Sequence, residues 1–135
     1  MRTKRIPIQD KSDPASASLS IIENIEFTPR RIYWISDFVE GTVRGKHAHK
    51  SLNQIMFMAK GQLTLEVFYG ESREEILMRE NDFAVLVPKG CWRVMKNADY
   101  ESVLVVLADQ NYAEDDYIRD WHEYIMWFNQ FNGKE

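Results

Sequence analysis

Short apolar runs separated by turn residues fill the chain from Leu19 onward, and this pattern is typical of an all-β domain. Turn segments such as Lys60-Gly61 and Pro88-Lys89-Gly90 stand between the runs. So many short strands in a short stretch of chain indicate a β-sandwich or barrel. The predicted strands cover residues 19–22, 31–38, 54–59, 62–68, 75–78, 83–87, 92–95 and 102–107.

The two ends of the chain depart from this pattern. Residues 1–18 combine charges, prolines and small residues without a sustained period, so we expect an N-terminal arm ahead of a barrel domain at 19–112. Behind the acidic turn 114–116, apolar residues recur at three- and four-residue spacing, which predicts a C-terminal α-helix within 113–135. We expect its aromatic side chains to dock on the barrel. They are Trp121, Tyr124, Trp127, Phe128 and Phe131.

Composition narrows the class of protein. The chain has 135 residues, 44% hydrophobic and 28% charged, which suits one globular domain. Its 17 basic and 21 acidic side chains give a formal net charge of −4, so neither nucleic acid nor a membrane surface is an expected partner. No apolar run is long enough to span a bilayer and Cys91 is the single cysteine, so we expect a cytoplasmic protein. The small core leaves a pocket that is modest or shared between subunits, which favours a homodimer.

Two histidines, His47 and His49, are separated only by Ala48. On an extended chain, side chains two residues apart face the same side, so both imidazoles would project into one space. The neighbours Arg44 and Lys46 make this stretch basic in an acidic protein, which suits an anion such as a diphosphate. A polar strand end on the surface is the alternative for the pair taken alone.

Two longer motifs decide between a shared site for the two histidines and a polar strand end on the surface. One segment reads G-x5-H-x-H-x4-Q-x6-G between Gly41 and Gly61, and a second reads P-x-G-x2-R-x3-N between Pro88 and Asn97. Together they resemble the two motifs of the cupin family, with one departure in each, at Gln54 and at Arg93. The resemblance implies a cupin-type double-stranded β-helix, the jelly-roll class of all-β fold, followed here by the C-terminal α-helix.

The two departures bear on cofactors. In metal-binding cupins the corresponding positions supply ligands together with the two histidines, whereas this chain carries Gln54 and Arg93 there. A site with a fixed cation and no carboxylate disfavours a divalent metal, so we expect no metal and no other cofactor. The guanidinium would also lower the pKa of a neighbouring imidazole and accept negative charge on a substrate oxygen.

Three further strings narrow the family. The R-x-Y-x-I run at 31–35, the R-G-x-H-A-H-K run at 44–50 and the run at 106–119 are similar to signatures of the WxcM-like sugar 3,4-ketoisomerases. The resemblance implies an enzyme that moves a ketone from C4 to C3 of a dTDP-4-keto-6-deoxyhexose. Its product would feed an aminotransferase that makes a 3-amino sugar for surface polysaccharide such as O-antigen.

The resemblance also implies catalytic roles. His47 is the candidate base that removes the C3 hydrogen, and His49 would orient the substrate or pass a proton between O3 and O4. Tyr33 would hydrogen-bond one of these oxygens, and Arg93 would stabilise the enediolate. The division of roles between the two histidines stays open at this point.

Substrate binding is expected from five other residues. Arg31 and Arg44 would reach the diphosphate, with Lys46 beside them, and Gln54 would contact the sugar. Ser16 stands where family members carry a D-x-R-G stretch that shapes the sugar pocket, so the configuration of the hexose is in doubt. Arginine rather than histidine at 93 favours the gluco-configured product. The family also exchanges N-terminal strands between subunits, and the arm at 1–18 suits that use.

Two other functions are alternatives to the ketoisomerase, one of them a second enzyme and the other a non-catalytic binding protein. A nucleotide-sugar 3,5-epimerase shares the jelly roll and the histidine base but depends on a His–Asp dyad, and the sequence places no Asp in an obvious partner position near His47. A non-catalytic cupin that binds a sugar nucleotide would not need both histidines in one register. The departure at Ser16 supports this second alternative.

Overall fold

The structure is a computed structural model, and it describes the chain from residue 2 to residue 132. A 3-10 turn at Glu114–Asp116 precedes the last strand and the helix. The elements are β1 (Lys4–Pro7), β2 (Gln9–Asp10), β3 (Ser20–Ile21), β4 (Arg31–Ile35), β5 (Arg44–His49), β6 (Gln54–Lys60), β7 (Gln62–Tyr69), β8 (Ser72–Arg79), β9 (Phe83–Val87), β10 (Cys91–Lys96), β11 (Val103–Ala108), β12 (Tyr117–Ile118) and α1 (Trp121–Asn132).

Two five-stranded antiparallel sheets form the body of the protein. One has the strand order β1-β9-β6-β11-β4, and the other has the order β12-β5-β10-β7-β8. The predicted class, an all-β jelly roll of the cupin type with a C-terminal helix, is confirmed. β2 and β3 form a separate two-stranded ribbon.

The alternation of side chains along the strands determines what lies between the sheets. Inward positions of β6, β7 and β11 supply a core of methionine, leucine and valine side chains that are almost wholly buried. At one end of the barrel the inward positions turn polar, with Gln54 at the start of β6 and Arg93 on β10. The candidate site therefore lies at one end of an otherwise apolar interior.

The N-terminal segment contains strands that the sequence pattern did not predict. β1 pairs with β9 of the same chain, with Lys4 opposite Leu86 and Pro7 opposite Phe83. This strand is short, and its hydrogen-bond partner is far away along the chain, so local periodicity carries little sign of it. The exchange of this segment between subunits stays a prediction.

The C-terminal helix begins later than the acidic turn at 114–116 indicated. Tyr117 and Ile118 leave that turn extended and pair with β5, so α1 starts only at Trp121. Asp120 caps the helix, since its carboxylate accepts a hydrogen bond from the backbone N–H of Glu123 at 2.9 Å. Residues 133–135 of the predicted helix lie outside the described residues.

The helix packs against the outer face of the sheet that carries β5. Tyr124 is fully buried, and its hydroxyl donates to the carbonyl of Gly90 at 2.8 Å. Trp121 makes edge-to-face contacts with Phe68 and Trp92, at centroid distances of 5.1 and 5.4 Å. In the described part of the chain, no helix is long and apolar enough to cross a membrane.

Candidate active site

The two histidines of β5 project between the sheets. The ring centroids of His47 and His49 lie 4.9 Å apart, with the rings nearly perpendicular. His49 is fully buried, whereas His47 is half-buried. Ala48 faces the opposite way and packs under the helix beside Trp92. The strand thus places both imidazoles on its inward side, next to each other.

A β-bulge sets where His47 points. Opposite β10, Arg93 pairs with His47 and Val94 pairs with Gly45, so Lys46 is the extra residue. Gly45 and Lys46 have φ values of +87° and +54°. A Cβ on Gly45 would lie 2.9 Å from the carbonyl oxygen of Arg93, so glycine is required by both the backbone conformation and the close approach.

A carboxylate that the sequence analysis missed holds His49. Asp116 Oδ2 lies 2.9 Å from His49 Nδ1, and Asp116 Oδ1 accepts hydrogen bonds from the backbone N–H of Ser51 at 2.8 Å and its hydroxyl at 2.7 Å. Burial alone would raise the pKa of Asp116, but these hydrogen bonds outweigh burial and keep the pKa below its usual value. Asp116 is therefore an ionised partner for His49.

Hydrogen bonds determine the tautomer of both rings. His47 Nδ1 lies 3.1 Å from the carbonyl oxygen of Gly45, and His49 Nδ1 faces the carboxylate of Asp116. Because both partners only accept, each Nδ1 carries a hydrogen and each neutral ring keeps a lone pair on Nε2. His49 Nε2 has no hydrogen-bond partner among the described residues. Two unprotonated ring nitrogens are thus available to a substrate.

The surroundings keep both imidazoles neutral. Burial, and after it the charge of Arg93, lowers the pKa of His47 to about 4. The same two causes lower the pKa of His49. At neutral pH both rings can accept a proton.

A hydrogen-bonded chain lies opposite the histidines. Arg93 is fully buried and donates through Nη1 to Gln54 Oε1 and through Nη2 to the carbonyl of Cys91 at 3.1 Å. Gln54 Nε2 donates to the hydroxyl of Tyr33 at 3.1 Å. Burial raises the pKa of Tyr33, so its phenol stays protonated at neutral pH.

This donor set does not fit a divalent metal. The carboxylate of Asp116 is turned to the far nitrogen of His49, and the amide oxygen of Gln54 is used by Arg93. A guanidinium beside the two imidazoles would repel a cation. Within residues 2–132, no group of three or more histidine, cysteine, aspartate or glutamate side chains is arranged to hold a metal ion.

Aromatic side chains line the approach to the histidines. The Tyr117 ring lies 4.4 Å from the His49 ring and 5.1 Å from the His47 ring. On the other side, the Arg31 guanidinium lies over the rings of Tyr33 and Tyr112, at 5.4 and 5.8 Å. Nε and Nη2 of Arg31 have no hydrogen-bond partner in the described part of the chain. Arg31 thus offers free donors next to Tyr33.

Comparison with known proteins identifies the family. The profile described as "FdtA: WxcM-like, C-terminal" matches residues 1–129, almost the whole chain. The chain belongs to this WxcM-like 3,4-ketoisomerase family. A curated relative, the TDP-4-oxo-6-deoxy-alpha-D-glucose-3,4-oxoisomerase of Aneurinibacillus thermoaerophilus, is 29% identical over 134 residues, covering 98% of this chain and 96% of the relative.

Solved structures agree with this family. A 3,4-ketoisomerase from Helicobacter canadensis superposes with a TM-score of 0.88 at 34% identity, covering 96% of this chain and 98% of the other. A mutant of the 3,4-ketoisomerase QdtA from Thermoanaerobacterium thermosaccharolyticum, in complex with TDP-4-keto-6-deoxyglucose, superposes with a TM-score of 0.90 at 26% identity, covering 97% and 96%.

Three residues of this WxcM-like protein that were expected to bind substrate lie away from the two histidines. Arg44 and Lys46 are exposed on β5, outside the closed interior. Ser16 is exposed in the turn between β2 and β3, and this ribbon is tied to Asn81 through Ser20. Asn81 lies just before the start of β9, whereas Gln54 pairs with the last residue of β9. Within one chain, Ser16 is therefore remote from the histidines, and the binding roles of these three residues stay predictions.

Two residues of the site escaped the sequence analysis. Asp116 and Tyr117 lie in the C-terminal run that carries the WxcM-like resemblance, but nothing in their spacing connects them to the histidines. Their place is determined by β12, which pairs Tyr117 with His49 and Ile118 with Ala48.

Proposed function

We propose that this protein is a dTDP-4-keto-6-deoxyhexose 3,4-ketoisomerase that works through an enediolate without a metal. The observation that carries the proposal is a pair of neutral imidazoles, each with a free Nε2 lone pair, beside the buried cation of Arg93. The named activities of the WxcM-like relatives support the substrate class.

His47 is the base in this proposal. A ketone at C4 acidifies the hydrogen on C3, so a neutral imidazole can remove it and leave an enediolate. His47 is half-buried and therefore the more accessible of the two rings, whereas His49 is fully buried. The proton held by His47 then returns to C4 on the same face of the sugar. The hydrogen on C3 thus moves to C4.

The reaction also requires a proton to leave O3 and reach O4. His49 Nε2 can accept the O3 proton and pass it to O4, because Asp116 stabilises the imidazolium that exists between the two transfers. Arg93 stabilises the negative charge of the enediolate electrostatically, and Tyr33 hydrogen-bonds one of its oxygens. Arg31, with its free donors, would bind the diphosphate.

The proposal includes a homodimer. Trp34 and Ile32 point outward from the edge strand β4 and are 66% and 58% exposed. They continue a row of half-buried apolar residues, since Val105 pairs with both Trp34 and Phe57 across the sheet. A contiguous apolar face of this kind suits a second copy of the chain. We place the reaction in the cytoplasm, ahead of an aminotransferase that makes a 3-amino sugar for surface polysaccharide.

A 3,5-epimerase is the alternative to compare directly, because Asp116 does supply a carboxylate partner, although to His49 and not to His47. Membership of the WxcM-like family favours the isomerase. The two activities differ in the carbons whose hydrogens exchange with solvent. An epimerase exchanges the hydrogens on C3 and C5, whereas a ketoisomerase exchanges those on C3 and C4 and yields a 3-ketone.

Isotope exchange tests the proposal. We expect the protein, incubated with TDP-4-keto-6-deoxyglucose in deuterated water, to form a 3-keto product by NMR. Deuterium should enter C4 of this product and C3 of recovered substrate to the extent that the proton held by His47 exchanges with solvent. His47→Asn should abolish exchange while the melting temperature stays close to that of wild type and the TDP affinity changes by no more than a few-fold.

His122→Asn is the matched control, because His122 is exposed on α1 and should not affect exchange. Binding of the nucleotide sugar with neither deuterium at C3 or C4 nor formation of a 3-ketone would refute the isomerase and support a binding module. Deuterium at C5 would support the epimerase.

A further inference from the structure

Gln54 occupies the centre of the polar end of the interior, and both ends of its amide are engaged. It is 1% exposed, with Arg93 on one side and Tyr33 on the other. Its Oε1 accepts from Arg93 Nη1, and its Nε2 donates to the Tyr33 hydroxyl at 3.1 Å. An amide used at both ends has little left to offer a substrate, which argues against the binding role expected from the sequence.

The direction of these hydrogen bonds follows from Arg93. A guanidinium has only donors, so the atom of Gln54 that faces it must be the carbonyl oxygen. The amide NH2 group therefore faces Tyr33, and the Tyr33 oxygen must accept. A phenol oxygen that accepts from Gln54 keeps its own hydrogen for another partner.

We propose that Gln54 is a positioning residue that makes Tyr33 a hydrogen-bond donor to the substrate. This inference rests on the proposed function, since the partner of the Tyr33 hydrogen is the sugar oxygen that becomes negatively charged in the enediolate. Arg93 orients Gln54, and Gln54 orients Tyr33. A donor held in place before the reaction stabilises the developing charge without reorganisation.

Glutamate at the same position would reverse this arrangement. A carboxylate has the shape of the amide but only acceptors, so one oxygen would bind Arg93 and the other would take the Tyr33 hydrogen. The phenol would then point its hydrogen away from the substrate. Gln54→Glu therefore removes the hydrogen bond from Tyr33 to the substrate while leaving the packing nearly unchanged.

The first experiment is a double-mutant cycle with Gln54→Glu and Tyr33→Phe. We expect each single variant to lower kcat about 10²- to 10³-fold with KM within a few-fold, the usual cost of losing one donor to an oxyanion. The double variant should be no slower than the slower single variant, because both changes remove the same hydrogen bond. Gln62→Glu is the matched control, since Gln62 is exposed at the start of β7, and should leave kcat unchanged.

The double-mutant cycle also distinguishes the orientation of Tyr33 by Gln54 from a purely electrostatic effect of the new carboxylate on Arg93. The carboxylate introduced by Gln54→Glu would partly neutralise Arg93, and that effect alone would slow the reaction. In that case Tyr33→Phe would lower kcat by its own full factor in the Gln54→Glu background. Multiplicative losses would therefore overturn the proposal, as would a Gln54→Glu enzyme with wild-type kcat.

A second measurement does not depend on activity. The infrared C–O stretching band of Tyr33, assigned by difference against Tyr33→Phe in protein with ring-labelled tyrosine, distinguishes a phenol that accepts from one that donates. We expect the band to shift from the accepting to the donating position in Gln54→Glu. An unchanged band would refute the orientation by Gln54 whether or not the protein proves to be an isomerase. A shifted band in a protein without isotope exchange would instead locate the failure in the proposed function.

Discussion

His49 is fully buried, and its Nδ1 is held by Asp116, which is 8% exposed. Ser51 donates both its N–H and its hydroxyl to Oδ1 of this carboxylate, so Oδ2 is the atom presented to His49 Nδ1. The charge on Asp116 thus selects the tautomer of His49 and supports the protonated ring during proton transfer.

Asp116→Asn should reverse the His49 tautomer. The asparagine oxygen would face Ser51 and its NH2 would face Nδ1, which must then accept, so the hydrogen moves to Nε2. We expect kcat to fall roughly 10²-fold, as for the loss of an acid/base group, with substrate affinity within a few-fold. Nitrogen NMR of the histidine side chains would report the tautomer.

Ser51→Ala is the control for this prediction, because the backbone N–H of Ser51 still binds Oδ1 and His49 should keep its tautomer. Wild-type kcat in Asp116→Asn would show that His49 transfers no proton. The Asp116 contact could not be predicted from the sequence, because 67 positions separate the partners and the pairing of β12 with β5 brings them together.

Strands with alternating apolar residues, such as β7 and β11, were predictable from the sequence because their buried face repeats every second residue. β5 was not among the predicted strands, since its residues are basic, small or histidine and Ala48 is its single apolar side chain. Its extended form depends on hydrogen bonds to β10 and β12, which the local pattern does not encode. The strand that carries both histidines was thus missed by the apolar pattern.

Gly45→Ala tests whether the bulge of β5 positions His47. The new Cβ would combine a φ of +87° with a contact of 2.9 Å to the Arg93 carbonyl, so we expect a loss of about 2 to 3 kcal/mol in the free energy of unfolding. We also expect kcat to fall, because the strand must shift at its contact with Arg93. Urea denaturation and steady-state kinetics measure the two effects.

Gly41→Ala is the matched control. Its φ is +79°, but nothing lies within 4 Å of the added Cβ, so it should cost about 1 kcal/mol and leave kcat unchanged. Equal losses of stability in the two variants, with equal kcat, would contradict a positioning role for the bulge.

At the scale of the whole molecule, an apolar face around Trp34 on β4 is exposed in the described part of the chain. The jelly-roll class was predictable, because two motifs on different strands and the strand count agree on it. The face on which we place the proposed dimer was not, since outward-facing apolar residues alternate in the sequence just as inward-facing ones do.

Trp34→Lys should weaken the proposed dimer. A lysine at the centre of an apolar interface leaves an unpaired charge, so we expect the dimer dissociation constant to rise about tenfold or more in sedimentation velocity. Leu77→Lys is the control, since Leu77 is 45% exposed on the other sheet and should not alter assembly. A wild-type protein that sediments as a monomer, or a Trp34→Lys protein that stays fully dimeric, would contradict this interface.

The seclusion of Gln54 has a consequence for the durability of the protein. Spontaneous deamidation turns glutamine into glutamate. Under our proposal this change at position 54 would remove the hydrogen bond from Tyr33 to the substrate. That hydrolysis requires water at the side-chain carbonyl, and Gln54 is only 1% exposed. The enclosure that orients this amide therefore also shields the enzyme from inactivation by chemical ageing.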